Sequence, residues 1–437
     1  MSIYNLCIVT IVASALGLAT SSVTAGEPMT KNFYATSPVD AKDLAPGDGV
    51  CNALPAQGGQ LCTLRAAIME GNATSEEWDV NVILVSGMTY KLSIAGGNEN
   101  SAATGDLDVL RPMRIGVADG AAQQAKLDAN HVDRMFDFLG SGSSTLYGID
   151  MYNGTSPDDT AAILIFDSTV LLDRLDVHGS LGAKGLGSAI EVTSGAVVRV
   201  HESRIYENGN ADNIGTAGIQ VVAAELVVER STIDSNSFVG IDAQHFSALT
   251  LRSSTISNNY GGVNVFYSTA AIADSTIYRN GNTWQIGVSS LPDRPVALDI
   301  RNSILAKGAG MSSICQGTHS QNVTFSSAYN LYGDQSCVSD TLVDHSEHNV
   351  TDFGLSEFGD WGGPTPSYKP LPGSIAIDHS PGSLCADVDQ RGLPRPVAYE
   401  GNIEPRCDTG AVELAPIVPP DEPWVAEIFR DGFEDEG

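Results

Sequence analysis

The stretch from Ala196 to Leu305 limits what this chain can fold into more than any other, because it repeats. Val198-Arg-Val-His-Glu-Ser-Arg-Ile205, Leu226-Val-Val-Glu-Arg-Ser-Thr-Ile233, Leu249-Thr-Leu-Arg-Ser-Ser-Thr-Ile256 and Ala270-Ala-Ile-Ala-Asp-Ser-Thr-Ile277 are four versions of one pattern. With the closing Ile as marker, the steps are 28, 23 and 21 residues, and a weaker fifth copy, Ile300-Arg-Asn-Ser-Ile304, places its marker 27 further on. A unit of roughly 20 to 50 residues that recurs in this way buries its apolar face by stacking on copies of itself. The expected fold is therefore an all-β solenoid of parallel strands.

Aligned on the marker, the position two before it is Ser203, Ser231, Ser254 and Ser275, and the position three after it is Asn208, Asn236, Asn259 and Asn280. Equivalent residues of successive rungs lie about one strand spacing, roughly 4.8 Å, apart. Ser and Ile then form inward columns, while Asn, which tolerates a left-handed turn, bonds its own copy one rung away. Lys307 stands where the fifth copy needs Asn, so the ladder is expected to end there.

The 45 glycines, with many Ser, Thr, Asn and Asp, suit an all-β chain with tight turns. The 437 residues need not divide into ordinary domains, since a solenoid grows by adding rungs. The formal charge of −30 is spread along the chain and argues against nucleic acid and anionic membranes, which require a basic footprint. Scattered carboxylates are read as a solvated surface; no cofactor is expected, and Ca²⁺ is the one ion that they would suit.

Leu6 to Leu18 is a short apolar run, followed by small residues at Val23 and Ala25, which reads as a signal peptide over 1–25. Six cysteines remain beyond it: Cys51, Cys62, Cys315, Cys337, Cys385 and Cys407. An even number in an exported chain implies disulfides, and three separated clusters favour 51–62, 315–337 and 385–407 among 15 connectivities. Thr63 is placed to cap a short helix whose Leu64, Ala67 and Ile68 share a face, inside an N-terminal cap region over 26–79. Rungs are expected over 80–310, irregular final rungs and a disulfide-stapled C-terminal cap over 311–414, and a Pro-rich linker with an Asp-Gly-Phe-Glu tail over 415–437.

Cys62-Thr-Leu-Arg-Ala-Ala-Ile68, Gly105-Asp-Leu-Asp-Val109, Asp133-Arg-Met-Phe-Asp137, Gly362-Gly-Pro-Thr-Pro366, Ile375-Ala-Ile-Asp378, Asp389-Gln-Arg-Gly-Leu-Pro-Arg-Pro396 and Cys407-Asp-Thr-Gly-Ala-Val-Glu413 come in an order that resembles bacterial secreted right-handed parallel β-helix proteins with a choice-of-anchor Q segment. The tail resembles the endings of exported proteins of some Gram-negative bacteria. The resemblance implies right-handedness and export to the exterior or cell surface, but no activity.

Polysaccharide lyases or hydrolases on such a fold need facing acids on neighbouring rungs. Gln220, Asp242 and Asn264 form one outward column and Tyr206, Asp234, Ser257 and Tyr278 another, and neither stacks two acids. Asp234, Asp242 and His245 are the best catalytic constellation available. The turn column His201, Glu229, Arg252 is read as cross-rung charge pairing. Asp387, Asp389, Arg391, Arg395 and Asp408 are read as buried or capping ion pairs. No histidine spacing supports a metal site, and no nucleophile elbow or phosphate loop occurs in a fitting context. The leading expectation is a secreted or cell-surface, non-catalytic protein that binds glycan or envelope components along its flank through Tyr206, Asp242, Asn264 and Tyr278, acting as a monomer. A polysaccharide lyase or hydrolase is the alternative, and a purely structural adhesin-like surface protein the third reading.

Overall fold

The computed structural model describes residues 29–54, 59–97, 99–140, 142–156, 160–182, 187–209, 215–281, 283–308, 310–339, 344–397 and 405–414. The expected signal peptide (1–25) and the linker and tail (415–437) lie outside them.

Among the described residues, three parallel sheets of 11, 10 and 9 strands run the length of a right-handed β-solenoid. One rung takes a strand from each sheet in turn: Val197–His201 from the first, Arg204–Tyr206 from the second and Ala217–Val222 from the third. Strand alternation decides the core. Val198, Val200, Ile205, Ile219 and Val221 point inward and are buried, and their copies on other rungs join them in one continuous cluster. Each such side chain contributes about 1.5–3 kcal/mol by leaving water.

The columns read from sequence are present. Each Ser Oγ accepts the backbone N–H of the preceding rung's Ser, from Ser203 to Ser231 at 3.1 Å through Ser275 to Ser303 at 3.2 Å. Each Asn Nδ2 donates to the next Asn Oδ1, from Asn208 to Asn280, at 2.9 to 3.0 Å. The left-handed residue is not the Asn but the one before it: Glu207, Ser235, Asn258 and Arg279 have φ of 52° to 59°. A second left-handed corner recurs between the first and second sheets at Arg174, Glu202, Arg230, Ser253, Asp274 and Asn302. The cost of that backbone, about 1–2 kcal/mol for a residue with a Cβ, is offset because the corner keeps its N–H on the next rung, as in Glu202 to Glu229 and Arg230 to Arg252.

The fifth copy sits one residue later than its sequence marker. Ile277 pairs with Leu305, and Ile304 pairs with Thr276. Spacing had tied the marker to an Ile, whereas the hydrogen-bonded Ser column fixes the register at Ser303 and any large aliphatic fills the inward site. Gly308 therefore takes the Asn position, and the Asn ladder ends there.

Strands also occur in the regions expected as N-terminal cap and irregular final rungs. Met29–Ala35 pairs with Trp78–Leu84 and starts the first sheet, and Val323–Ala328 and Leu331–Tyr332 continue the rungs past residue 310. Helix Leu64–Ala73 starts at Thr63, whose side chain accepts the Ala66 N–H, and its Leu64, Ala67 and Ile68 enter the core. The disulfides are 51–62, 315–337 and 385–407. The C-terminal cap lies back along the outer side of the second sheet. Gln390 donates to Thr232 Oγ1 and accepts from Thr255 Oγ1, the Tyr368 hydroxyl meets Ser257, and the Ala411 N–H meets Thr276. Arg391 pairs with Asp389, and buried Arg395 pairs with Glu413 and Asp274.

Candidate functional site

The structure does not assemble Asp234, Asp242 and His245 into one centre. Asp234 is on the second sheet and Asp242 on the third. Asp234 is 1 % exposed, and both its oxygens are taken by Arg204, at 2.7 and 2.8 Å. His245 is an exposed corner residue with φ 51° beside Tyr267. Tyr278 is packed under the cap against Tyr368 and Phe353. Tyr206 ends a stack with His178 and Tyr152, with centroids 4.8 and 5.5 Å apart, and Arg204 stands 3.9 Å from its ring. Rings stacked along the solenoid axis cover each other's faces, so this row offers solvent edges and no flat platform. Burial, then Asp176, pushes the Tyr206 hydroxyl up to about 12.

Asp242 and Asn264 belong to a longer row. Strand register places Asp108, Asp137, Leu164, Glu191, Gln220, Asp242, Asn264, Gly287 and Gln316 on successive rungs of the third sheet. One Asp242 oxygen accepts from Gln244 at 2.8 Å, and the other is buried with no hydrogen bond of normal geometry. Burial raises the Asp242 pKa, opposed by the amides of Gln244, Asn264 and Gln220 and by His245. Asn264 Oδ1 accepts from Trp284 Nε1 at 2.6 Å. The indole lies over the row at Gly287, where a Cβ would stand 2.1 Å from Nε1. Asn264, Phe266, Trp284, Gly287, Val288 and Gln316 line a pocket of about 280 Å³ there. Sequence reasoning missed Trp284; its signal was a Gly three residues on, replacing the polar side chain that the column carries at Glu191, Gln220, Asp242 and Asn264.

The turn column His201, Glu229, Arg252 is in register and lines a cleft of about 460 Å³ closed by Cys385 to Val388 of the cap. Glu229 is flanked by Arg199 and Arg252, Glu202 holds Arg174 and Arg230, and His201 Nδ1 meets Asp173 at 2.8 Å. The arginine–glutamate contacts are cross-rung ion pairs, and the imidazole–carboxylate contact also joins neighbouring rungs.

Among the described residues, possible cation ligands gather in two places. Asp173, His201 and Glu202 are one, but the two arginines on Glu202 oppose a further positive charge. Asp106, Asp108 and Asp137, at the start of the third-sheet row, are the other. Burial first pushes Asp106 and Asp108 up to about 7, with neighbouring carboxylates adding to the shift.

The family model described as right handed beta helix region matches residues 136–325. No curated protein matches the chain in sequence. Among solved structures, pectate lyase Pel9A is 13 % identical with a TM-score of 0.38, over 87 % of this chain and 97 % of that one. The periplasmic alginate epimerase AlgG is 12 % identical with a TM-score of 0.38, over 57 % and 68 %. A rhamnogalacturonan lyase is 12 % identical with a TM-score of 0.37, over 72 % and 90 %. At these scores no residue role or activity is carried over to this chain.

Proposed function

We propose that this protein is exported and binds an extracellular polysaccharide along its third sheet without cleaving it. The observation that carries the proposal is the row Gln220, Asp242, Asn264 ending at Trp284 and Gln316: amides, one carboxylate among them, and an indole beside them. Successive rungs repeat at roughly 4.8 Å, which sets hydrogen-bonding groups at a spacing that sugar hydroxyls can follow. The indole offers apolar surface to a ring face. Glycosidic cleavage uses two carboxyl groups about 5–9.5 Å apart, and on the rungs next to Asp242 the row carries amides. With a net charge of −30, the ligand class favoured is a neutral glycan. Three disulfides suit an oxidising, extracytoplasmic setting, and the sequence resemblance supports export to the surface of a Gram-negative bacterium.

The test incubates the protein with neutral and acidic polysaccharides, following binding by calorimetry together with new reducing ends and unsaturated uronates. Binding to a neutral glycan that Trp284→Ala and Asn264→Ala weaken supports the proposal. Products whose formation Asp242→Ala abolishes, or no binding across the panel, would overturn it.

A further inference from the structure

We infer that Asp106, Asp108 and Asp137 form a binding site for one divalent cation, and that their chemistry selects Ca²⁺.

Asp108 and Asp137 are register partners on adjacent rungs, and Asp106 lies two residues before Asp108, on the same side of the strand direction. Each of the three offers an oxygen, and these lie within 4.8 Å of one another. All three residues are buried. One cation already serves them: Arg134 meets both oxygens of Asp137 at 2.7 Å and Asp106 Oδ2 at 3.1 Å. Three carboxylates and one guanidinium leave a formal charge of −2.

Asp108 gives the independent sign of a ligand. Its Oδ2 accepts the Ala102 N–H at 2.7 Å, while its Oδ1 is buried and has no hydrogen-bond partner among the described residues. An unsatisfied buried carboxylate oxygen beside two more carboxylates is costly unless a positive group neutralises it. The donor set is oxygen only, without His or Cys, which excludes the soft-ligand preference of zinc or copper sites. Ca²⁺ accepts irregular oxygen cages and completes its shell with water, whereas Mg²⁺ demands a near-octahedral one.

The surroundings make the site rigid from the opposite side. Buried Arg65 of the N-terminal helix donates to the carbonyls of Ala102, Gly105 and Asp106 at 2.9, 2.7 and 3.0 Å, and pairs with Asp40. The Arg65 of the Cys62–Ile68 motif thus fastens the loop that carries Asp106 and supports Asp108. A bound ion would join this loop to the second rung through Asp137.

The test uses the full chain, freed of metal with a chelator, and titrates CaCl₂ and MgCl₂ by calorimetry and thermal unfolding. One Ca²⁺ per chain and a raised Tm are expected. Asp108→Asn keeps the size of the side chain and an acceptor for the Ala102 N–H, and should weaken Ca²⁺ binding on the order of tenfold or more by removing a ligand charge. It should also remove the Tm shift while the circular dichroism of the chain stays the same. Asp173→Asn, in the other group of possible ligands, should leave Ca²⁺ affinity unchanged. Preference for Mg²⁺ overturns the choice of ion. Absence of any stoichiometric binding, or Ca²⁺ association that Asp108→Asn does not alter, overturns the site.

Discussion

Asn259 shows how much one residue carries in a stacked fold. Its Oδ1 accepts both the backbone N–H and the Nδ2 of Asn236 at 2.9 Å, and its own Nδ2 donates to Ile233 O and Asn280 Oδ1 at 3.0 Å. Asn259→Ala removes all four of these bonds in a dry corner, and a loss of about 2–3 kcal/mol in urea unfolding is expected. Gly287 works in the opposite sense, by having no side chain. A Cβ there strikes the Trp284 indole and comes within 2.6 Å of Asn264 Oδ1. Gly287→Ala should lower polysaccharide affinity roughly tenfold, equivalent to about 1.4 kcal/mol, with the circular dichroism unchanged; an unaltered affinity would remove Trp284 from the site.

Among the elements, the N-terminal helix and the C-terminal cap are held by a few polar side chains. The Thr63 hydroxyl caps the helix and donates to Ala41 O at 2.5 Å, so Thr63→Ala should cost about 1 kcal/mol or more. Gln390 reaches Thr232, Thr255 and Thr365 from the cap. Gln390→Ala should speed hydrogen exchange and proteolysis within residues 353–414 and leave the third-sheet rungs protected, since each rung depends on its neighbours and not on the cap. Equal loss of protection in both regions would show that cap and rungs unfold as one unit.

For the whole molecule, acidity dominates the response to pH. Burial raises the pKa of Asp106, Asp108, Asp137, Asp176, Asp242, Asp274, Asp408 and Glu413, with Asp106, Asp108 and Asp408 at about 7, while Glu99 and Asp334 are lowered. A carboxyl raised in the fold keeps its proton at a pH where the unfolded chain has lost it. The fold then binds more protons than the unfolded chain, and stability falls as pH rises from the ordinary carboxylate range towards about 7. Self-repulsion at −30 acts in the same direction. In chelator, Tm should be higher near pH 5 than near pH 7.5, and a Tm that climbs over that interval would contradict the assignment.

Sequence alone determined the solenoid, the Ser, Ile and Asn columns, the column Gln220, Asp242, Asn264, the helix cap at Thr63 and the disulfide pairing preferred among 15. These are local or periodic: a strand shows its inward face through alternation, and a repeat shows its stacking through spacing. The fifth copy slipped by one residue because Ile304 and Leu305 are interchangeable as apolar markers, and only the hydrogen bond to Ser303 separates them. Tertiary structure decided the rest. It turned the cap back onto the second sheet and covered Tyr278, gave Asp234 to Arg204, laid Trp284 over Gly287, and brought Asp106 and Asp108 to Asp137. Arg204 and Asp234 stand in different columns of the repeat, and the other contacts draw on segments between or beyond its aligned copies, where spacing carries no register, so only the path of the chain could bring them together.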